Sequence, residues 1–243
     1  MRRSAALVLS GLLGCLCIPA ARAEEAPSRS AAELMDVLMW NREPVGGPFA
    51  LIDQDGRTRR DSDFRGKLLL VYFGFTSCPD VCPTDLQEIA RAVNMLGAAG
   101  DGIQPVFITL DPERDTAALL AEYVPNFHPR LIGLTGRPEA IRQAADAYKV
   151  FSERVARPDG SYTIDHSAFV YLMDRAGGYL GFFPPRTSAE RMLAIIGPHL
   201  SRAALDLTQT APSSEGLLDT RFFETAPAES RRAGRLGAGA AAP

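Results

Sequence analysis

A mixed α/β fold, with a central sheet flanked by helices, is predicted by three observations. β-rich apolar runs alternate with segments of helical periodicity between residues 47 and 201. Two cysteines, Cys78 and Cys82, are separated by three residues where the long apolar run Leu68 to Phe75 gives way to a helical pattern from Val81 to Leu96. The flanks differ in kind. Residues 24–46 are small, polar and interrupted by Pro44, Gly46 and Gly47, and the chain beyond residue 201 drifts into Ala, Gly, Pro, Ser and Arg. The folded unit is therefore expected at 47–201. A linker at 24–46, with a short helix around Leu34 to Trp40, precedes it, and a low-complexity, disordered tail at 202–243 follows.

Taken in order, Phe49 to Asp53 reads as a strand closed by the turn Asp55-Gly56. Leu68 to Phe75 reads as a buried strand entered through the corner Asp63-Phe64-Arg65-Gly66. Leu86 to Leu96 has helical spacing behind a negatively charged first turn, Asp85 and Glu88, and Val106 to Leu110 is a β-rich run with Pro105 at its edge. Arg114 to Tyr123 is a second helix, Leu131 to Leu134 a short strand and Pro138 to Tyr148 a third helix. Ala168 to Met173 and Tyr179 to Phe183 form an antiparallel pair turning at Arg175-Ala176-Gly177-Gly178, and Ser188 caps a closing helix that runs to Leu200. A βαβ unit followed by a hairpin and a final helix, with thiols after the first long strand, is a thioredoxin-like arrangement.

The first 23 residues have the form of a secretory signal: basic Arg2-Arg3, an apolar stretch from Ala5 to about Ala20, then Ala21-Arg22-Ala23 before Glu24. Two alternatives stay open. The apolar stretch is near the lower length limit of a membrane span, so an uncleaved anchor is one; a lipoprotein box at Leu12-Leu13-Gly14-Cys15 is the other. Either way the folded part is expected in the periplasm. Cleavage after Ala23 would remove Cys15 and Cys17 and leave Cys78 and Cys82 as the only thiols. It would also take the formal charge from -3 to -6, which argues against nucleic acid and an anionic membrane surface as partners. A monomer is the default expectation.

A structural disulfide is the bland reading of Cys78 and Cys82. By loop entropy a ring of about five residues yields roughly 2 kcal/mol, against nearly 5 for a ring of a hundred, so this staple would do little stapling. A helix N-terminus lowers thiol pKa values and favours both dithiol redox chemistry and metal binding. Spacing helps to separate them. Thioredoxin-type oxidoreductases place two residues between the cysteines, whereas Pro79, Asp80 and Val81 give a wider bite suited to a soft ion such as Cu(I). As redox residues Cys78 and Cys82 would be catalytic; as ligands they would welcome a third donor.

His166, in Thr163-Ile164-Asp165-His166-Ser167, is the candidate third ligand, on a polar loop just before the strand at Ala168. In a thioredoxin-like fold that loop lies beside the thiol-bearing helix N-terminus. A loop-packing histidine is the competing reading. His128 reads as a loop residue, and His199 as a partner of the last helix's C-terminal dipole. Asp165 would orient the histidine or form an ordinary turn.

Several segments, in order and spacing, now carry a resemblance. They are Gly47-Pro48-Phe49, Asp53-Gln54-Asp55-Gly56, Phe64-Arg65-Gly66-Lys67, Tyr72-Phe73-Gly74-Phe75-Thr76, Cys78-Pro79-Asp80-Val81-Cys82-Pro83, Leu110-Asp111-Pro112-Glu113-Arg114-Asp115-Thr116 and Asp165-His166-Ser167-Ala168-Phe169. Together they resemble the Sco/SenC family over residues 46 to 201. The resemblance implies a thioredoxin-like copper chaperone that helps assemble the binuclear copper A site of cytochrome c oxidase, with some relatives acting as thiol-disulfide reductases. It implies Cys78, Cys82 and His166 as ligands of a copper ion, Cu(I), with Cu(II) left open. The implied partners are the oxidase copper-site subunit and other copper chaperones or thiol reductants. It places the loop Asp111 to Thr116 near the site, where a helix-capping turn is the competing role for Asp111 and Asp115. Many relatives keep an N-terminal membrane anchor; here the N-terminus has the form of a cleavable signal and a long tail follows the domain, which leaves tethering open while leaving the site unchanged.

Overall fold

The computed structural model describes residues 31–209. The signal segment and most of the tail lie outside the described residues, and no helix among those residues is long and apolar enough to cross a membrane.

The chain order is α1 (Ala31–Trp40), β1 (Ala50–Asp53), β2 (Thr58–Arg60), β3 (Leu68–Gly74), α2 (Val81–Met95), β4 (Ile103–Thr109), α3 (Ala117–Tyr123), β5 (Ile132–Thr135), α4 (Pro138–Ala147), β6 (Ser152–Ala156), β7 (Tyr162–His166), β8 (Val170–Met173), β9 (Tyr179–Phe183) and α5 (Ala189–Gln209). Seven strands form one sheet in the order β2-β1-β5-β4-β3-β8-β9, with β3, β4 and β5 parallel and β1 and β8 antiparallel to their inner neighbours. This is the expected thioredoxin-like α/β architecture. β6 and β7 form a separate two-stranded sheet.

β3 organises the core because all seven of its residues are buried, as a strand covered on both faces must be. Successive side chains point to opposite faces. Leu68, Leu70 and Tyr72 pack with Leu86, Ile89 and Val93 of α2, Leu120 of α3 and Met192 and Ile196 of α5. Leu69, Val71 and Phe73 pack on the other face with Val37 and Leu38 of α1 and Ile141, Ala144 and Ala145 of α4. Residues 31–46, expected as linker, are thus partly built into the fold: Val37, Leu38 and Val45 are buried, and Leu38 O accepts a hydrogen bond from the Tyr179 hydroxyl at 3.1 Å.

Several expectations are corrected. β4 starts at Ile103, so Pro105 lies inside a strand; pairing with β5 begins only at Val106, so the ladder is one-sided at the proline. α3 starts at Ala117, where Thr116 caps it by accepting from Leu119 N at 3.2 Å. α2 has no acidic first turn: Asp85 is buried, and Glu88 accepts from Ala189 N at 2.7 Å at the start of α5. Ser188 does cap α5, its hydroxyl accepting from Arg191 N at 3.4 Å, but the helix continues through Pro198 to Gln209. His199 is therefore mid-helix and cannot serve the C-terminal dipole.

Leu70 is fully buried between α2 and α5 at the centre of the sheet. Leu70→Ala is expected to lower unfolding stability by about 2–5 kcal/mol with little change in denaturant m-value, measured by urea denaturation.

Candidate metal centre

β3 ends at Gly74, and the chain turns immediately into α2. Cys78 N donates to Phe75 O at 3.2 Å, which puts Cys78 in the turn before the helix and Cys82 in its first turn. Cys82 is wholly buried and Cys78 half-buried; both are free thiols. The close approach of α2 to β3 depends on Gly74. A Cβ there would stand 2.9 Å from Cys82 Sγ, closer than real Cβ contacts come, and a tight 3.1 Å from Tyr72 Cε1, so a side chain would push the thiol away.

The expected third donor arrives from far along the chain. His166 is the last residue of β7, not a loop residue, and its Nε2 lies 3.6 Å from Cys82 Sγ. Its ring meets Phe75 edge to face at 5.8 Å, and the base of the hairpin is closed by Ser167 N donating to Phe151 O at 3.0 Å. His166 Nδ1 lies 3.3 Å from Ser167 O. A carbonyl only accepts, so Nδ1 is a donor in this contact, and Nε2 is the ring nitrogen that faces the sulfurs. Asp165 is exposed opposite Glu153 on β6 and takes neither expected role. His128 is the expected loop residue, buried, with Nδ1 accepting from Arg130 N at 3.0 Å.

The thiols are unlike each other. A hydrogen bond from Cys82 lowers the Cys78 pKa most; burial opposes it, and His166 and the backbone N–H groups of Asp80 and Cys82 add to the lowering, bringing it to about 3. The same hydrogen bond raises Cys82, and burial raises it further. One proton thus stays on Cys82 and bridges it to a Cys78 thiolate. The expectation that the helix N-terminus would lower both thiols is corrected on this point. Behind Cys82 lie the buried Tyr72 hydroxyl and Asp85 Oδ2, neither in a hydrogen bond of good geometry, and burial raises both pKa values.

The connection between β9 and α5 clasps the thiol segment. Arg186 has a left-handed backbone, φ 63°, unusual for a side chain of its size. In that conformation its N–H donates to Asp85 Oδ1 at 2.7 Å, while its guanidinium reaches both oxygens of Asp80, between the cysteines, at 2.8 and 3.0 Å. The ion pair is exposed and contributes little by itself. On the other side Asp115, wholly buried, accepts from Thr76 N at 3.0 Å, Thr76 Oγ1 at 2.6 Å and Thr109 Oγ1 at 2.6 Å. Asp115 is thus a strut to the thiol segment, and Asp111 reaches across to Tyr162 rather than capping a helix. Neither role has a spacing signature in the sequence.

The donor set fits a soft ion: two sulfurs and an imidazole nitrogen converge on one partly buried point. In this thiol form the donors are joined to one another by hydrogen bonds, and no three His, Cys, Asp or Glu side chains among the described residues form a ready-made cage.

A thioredoxin-like fold with paired thiols and an incoming imidazole defines a class of thiol-bearing domains, and comparison resolves it. The model of the family described as SCO1/SenC matches residues 39–201, and the chain belongs to that family. A SCO2-like protein of Rickettsia prowazekii is 48% identical over 153 residues, which are 62% of this chain and 75% of that protein. The mitochondrial SCO2 homolog of Bos taurus is 40% identical over 200 residues, 81% of this chain and 73% of that protein. Among solved structures, ScoI of Bradyrhizobium japonicum with copper bound is 41% identical with a TM-score of 0.60, covering 64% of this chain and 99% of that one.

The unequal thiols predict unequal chemistry. Alkylation by iodoacetamide, followed by mass spectrometry of the peptides, should modify Cys78 at a rate nearly independent of pH from 5 to 8. An ordinary thiol would slow about tenfold per unit below its pKa, and Cys82 should stay unmodified until the protein unfolds.

Proposed function

We propose that this protein is a copper chaperone that holds one copper ion through Cys78, Cys82 and His166 and passes it by ligand exchange to the copper-site subunit of cytochrome c oxidase during assembly of its copper A site. The observation that carries the reading is the approach of His166 Nε2 to within 3.6 Å of the Cys82 sulfur from 84 positions along the chain, beside Cys78. The copper-bound relatives support it, as do the soft donors, which suit Cu(I). The exported periplasmic location and the N-terminal anchor or signal belong to the same proposal.

The residues divide the work. Cys78, already a thiolate and half-exposed, makes first contact with incoming metal. Cys82 gives up the bridging proton as it becomes a ligand, and His166 offers Nε2 while Ser167 O keeps Nδ1 occupied. Loading therefore releases one proton, which leaves from Cys82. Between pH 7 and 8, Cu(I) affinity should rise about tenfold per pH unit, measured with buffers of different ionisation enthalpy or by chelator competition. A pH-independent affinity would contradict this assignment. Oxidation to a Cys78–Cys82 disulfide leaves only His166, so redox state gates loading.

Anaerobic Cu(I) titration against a chromophoric chelator tests the ligand set directly. One-to-one binding should be lost by orders of magnitude in Cys78→Ala and Cys82→Ala and strongly weakened in His166→Ala, with the far-UV spectrum unchanged. Tight binding retained in His166→Ala would sink the three-ligand reading.

The pairing of a half-exposed thiolate with a buried thiol favours a second reading, reduction of disulfides in an oxidase copper-site subunit. Cys78 would attack one sulfur of the partner disulfide and form a mixed disulfide, releasing the other sulfur as a thiolate. Cys82, losing its proton, would then attack Cys78 and release the partner as a dithiol, while this chain is left oxidised by two electrons. Such activity needs both cysteines and survives His166→Ala, so a reductase assay on that variant separates the readings.

A further inference from the structure

His166 reaches the thiols on a hairpin with little core of its own. β6 is exposed along its whole length, and in β7 only Ile164 is buried. A lone two-stranded hairpin is marginally stable at best, so its attachments determine where the imidazole stands.

Tyr162, at the opposite end of β7 from His166, is its most heavily held residue. The hydroxyl donates to Asp111 Oδ1 at 2.9 Å, and Arg114 Nη1 donates to the Tyr162 carbonyl at 3.3 Å. The guanidinium carbons of Arg114 and Arg154 each lie 4.0 Å from the ring centroid. Arg114 Nε also donates to Asp111, and Arg154 pairs with Glu113 at 2.8 Å. Thus Asp111, Glu113 and Arg114, all from the connection between β4 and α3, grip the hairpin together.

The same connection is tied to the thiols. Asp115 holds both the N–H and the hydroxyl of Thr76, two residues before Cys78, and Leu110 N donates to Gly74 O at 2.7 Å. One short loop therefore touches both halves of the centre.

We infer that residues 110–115 act as a gauge fixing the separation of imidazole and thiols, and that Tyr162 is the positioning residue through which this loop places His166. The inference rests on the ligand reading above. Tyr162 does not touch the metal. With its grip released, the hairpin keeps Ile164, the exposed Arg154–Glu113 pair, the His166–Phe75 ring contact and the Ser167–Phe151 closure. It loses the anchor that fixes its far end, so that Nε2 is held less closely to the sulfurs.

The test is a double-mutant cycle on Cu(I) affinity, using the chelator competition with Tyr162→Ala, His166→Ala and the double variant. Through positioning, Tyr162→Ala should weaken binding about tenfold when His166 is present. In the His166→Ala background it should change affinity less than about twofold, because the residue it serves is gone. Tyr162→Phe, which keeps the ring against both arginines and loses only the Asp111 bond, should fall between wild type and Tyr162→Ala. If Tyr162→Ala does not fold, Tyr162→Phe and Arg114→Lys carry the same cycle. Equal losses in both backgrounds would mark a merely structural residue and overturn the inference, as would no loss at all. Binding indifferent to His166→Ala itself would instead overturn the ligand reading, and this inference with it.

Discussion

Cys82 is the constraint around which the centre is arranged. Its sulfur is buried against the end of β3, in a space that exists only because residue 74 has no side chain. The hydrogen bond to Cys78 raises the Cys82 pKa and burial raises it further, so Cys82 keeps its proton and donates it to Cys78, whose thiolate is correspondingly stable. One packing decision therefore creates a pair with divided roles: an accessible nucleophile and an inner sulfur that ionises only on demand. His166 approaches from the Cys82 side, with Nε2 3.6 Å from its sulfur.

The surroundings hold these three side chains from several directions at once. Arg186 ties the segment between the cysteines to the connection before α5, Asp115 ties Thr76 to the connection after β4, and that connection also grips the hairpin bearing His166. The buried carboxyl group of Asp115 is satisfied by hydroxyl and amide donors, which suits it to a strut. On the proposed chaperone reading, such bracing keeps the inner donors in place while ligand exchange begins at the half-exposed Cys78.

Much of this was legible in the sequence. The run Leu68 to Phe75 could be read as a doubly buried strand because every residue before Gly74 is apolar, and the cysteine spacing beyond it marked the site. The sequence also points to His166 as a neighbour of the thiols, although it ends a strand rather than sitting in a loop. The hairpin escaped notice because Ser152-Glu153-Arg154-Val155-Ala156 is exposed on every residue and so has no alternation to detect. Pro105 sets the expected start of β4 too late, since a proline is tolerated where the ladder is one-sided, and the small, polar composition beyond Leu200 hides the last turns of α5. The roles of Asp85, Asp111 and Asp115 were invisible for a different reason. Their partners, at Arg186, Tyr162 and Thr76, are 39 to 101 positions away, and sequence spacing carries no information about such pairs.

X-ray absorption at the copper edge of the Cu(I)-loaded, reduced protein tests the central claim most directly. The account predicts a three-coordinate ion with two sulfur ligands and one imidazole nitrogen, the nitrogen shell and its imidazole multiple-scattering features vanishing in His166→Ala. A two-coordinate site with sulfur alone, unchanged in that variant, would contradict it.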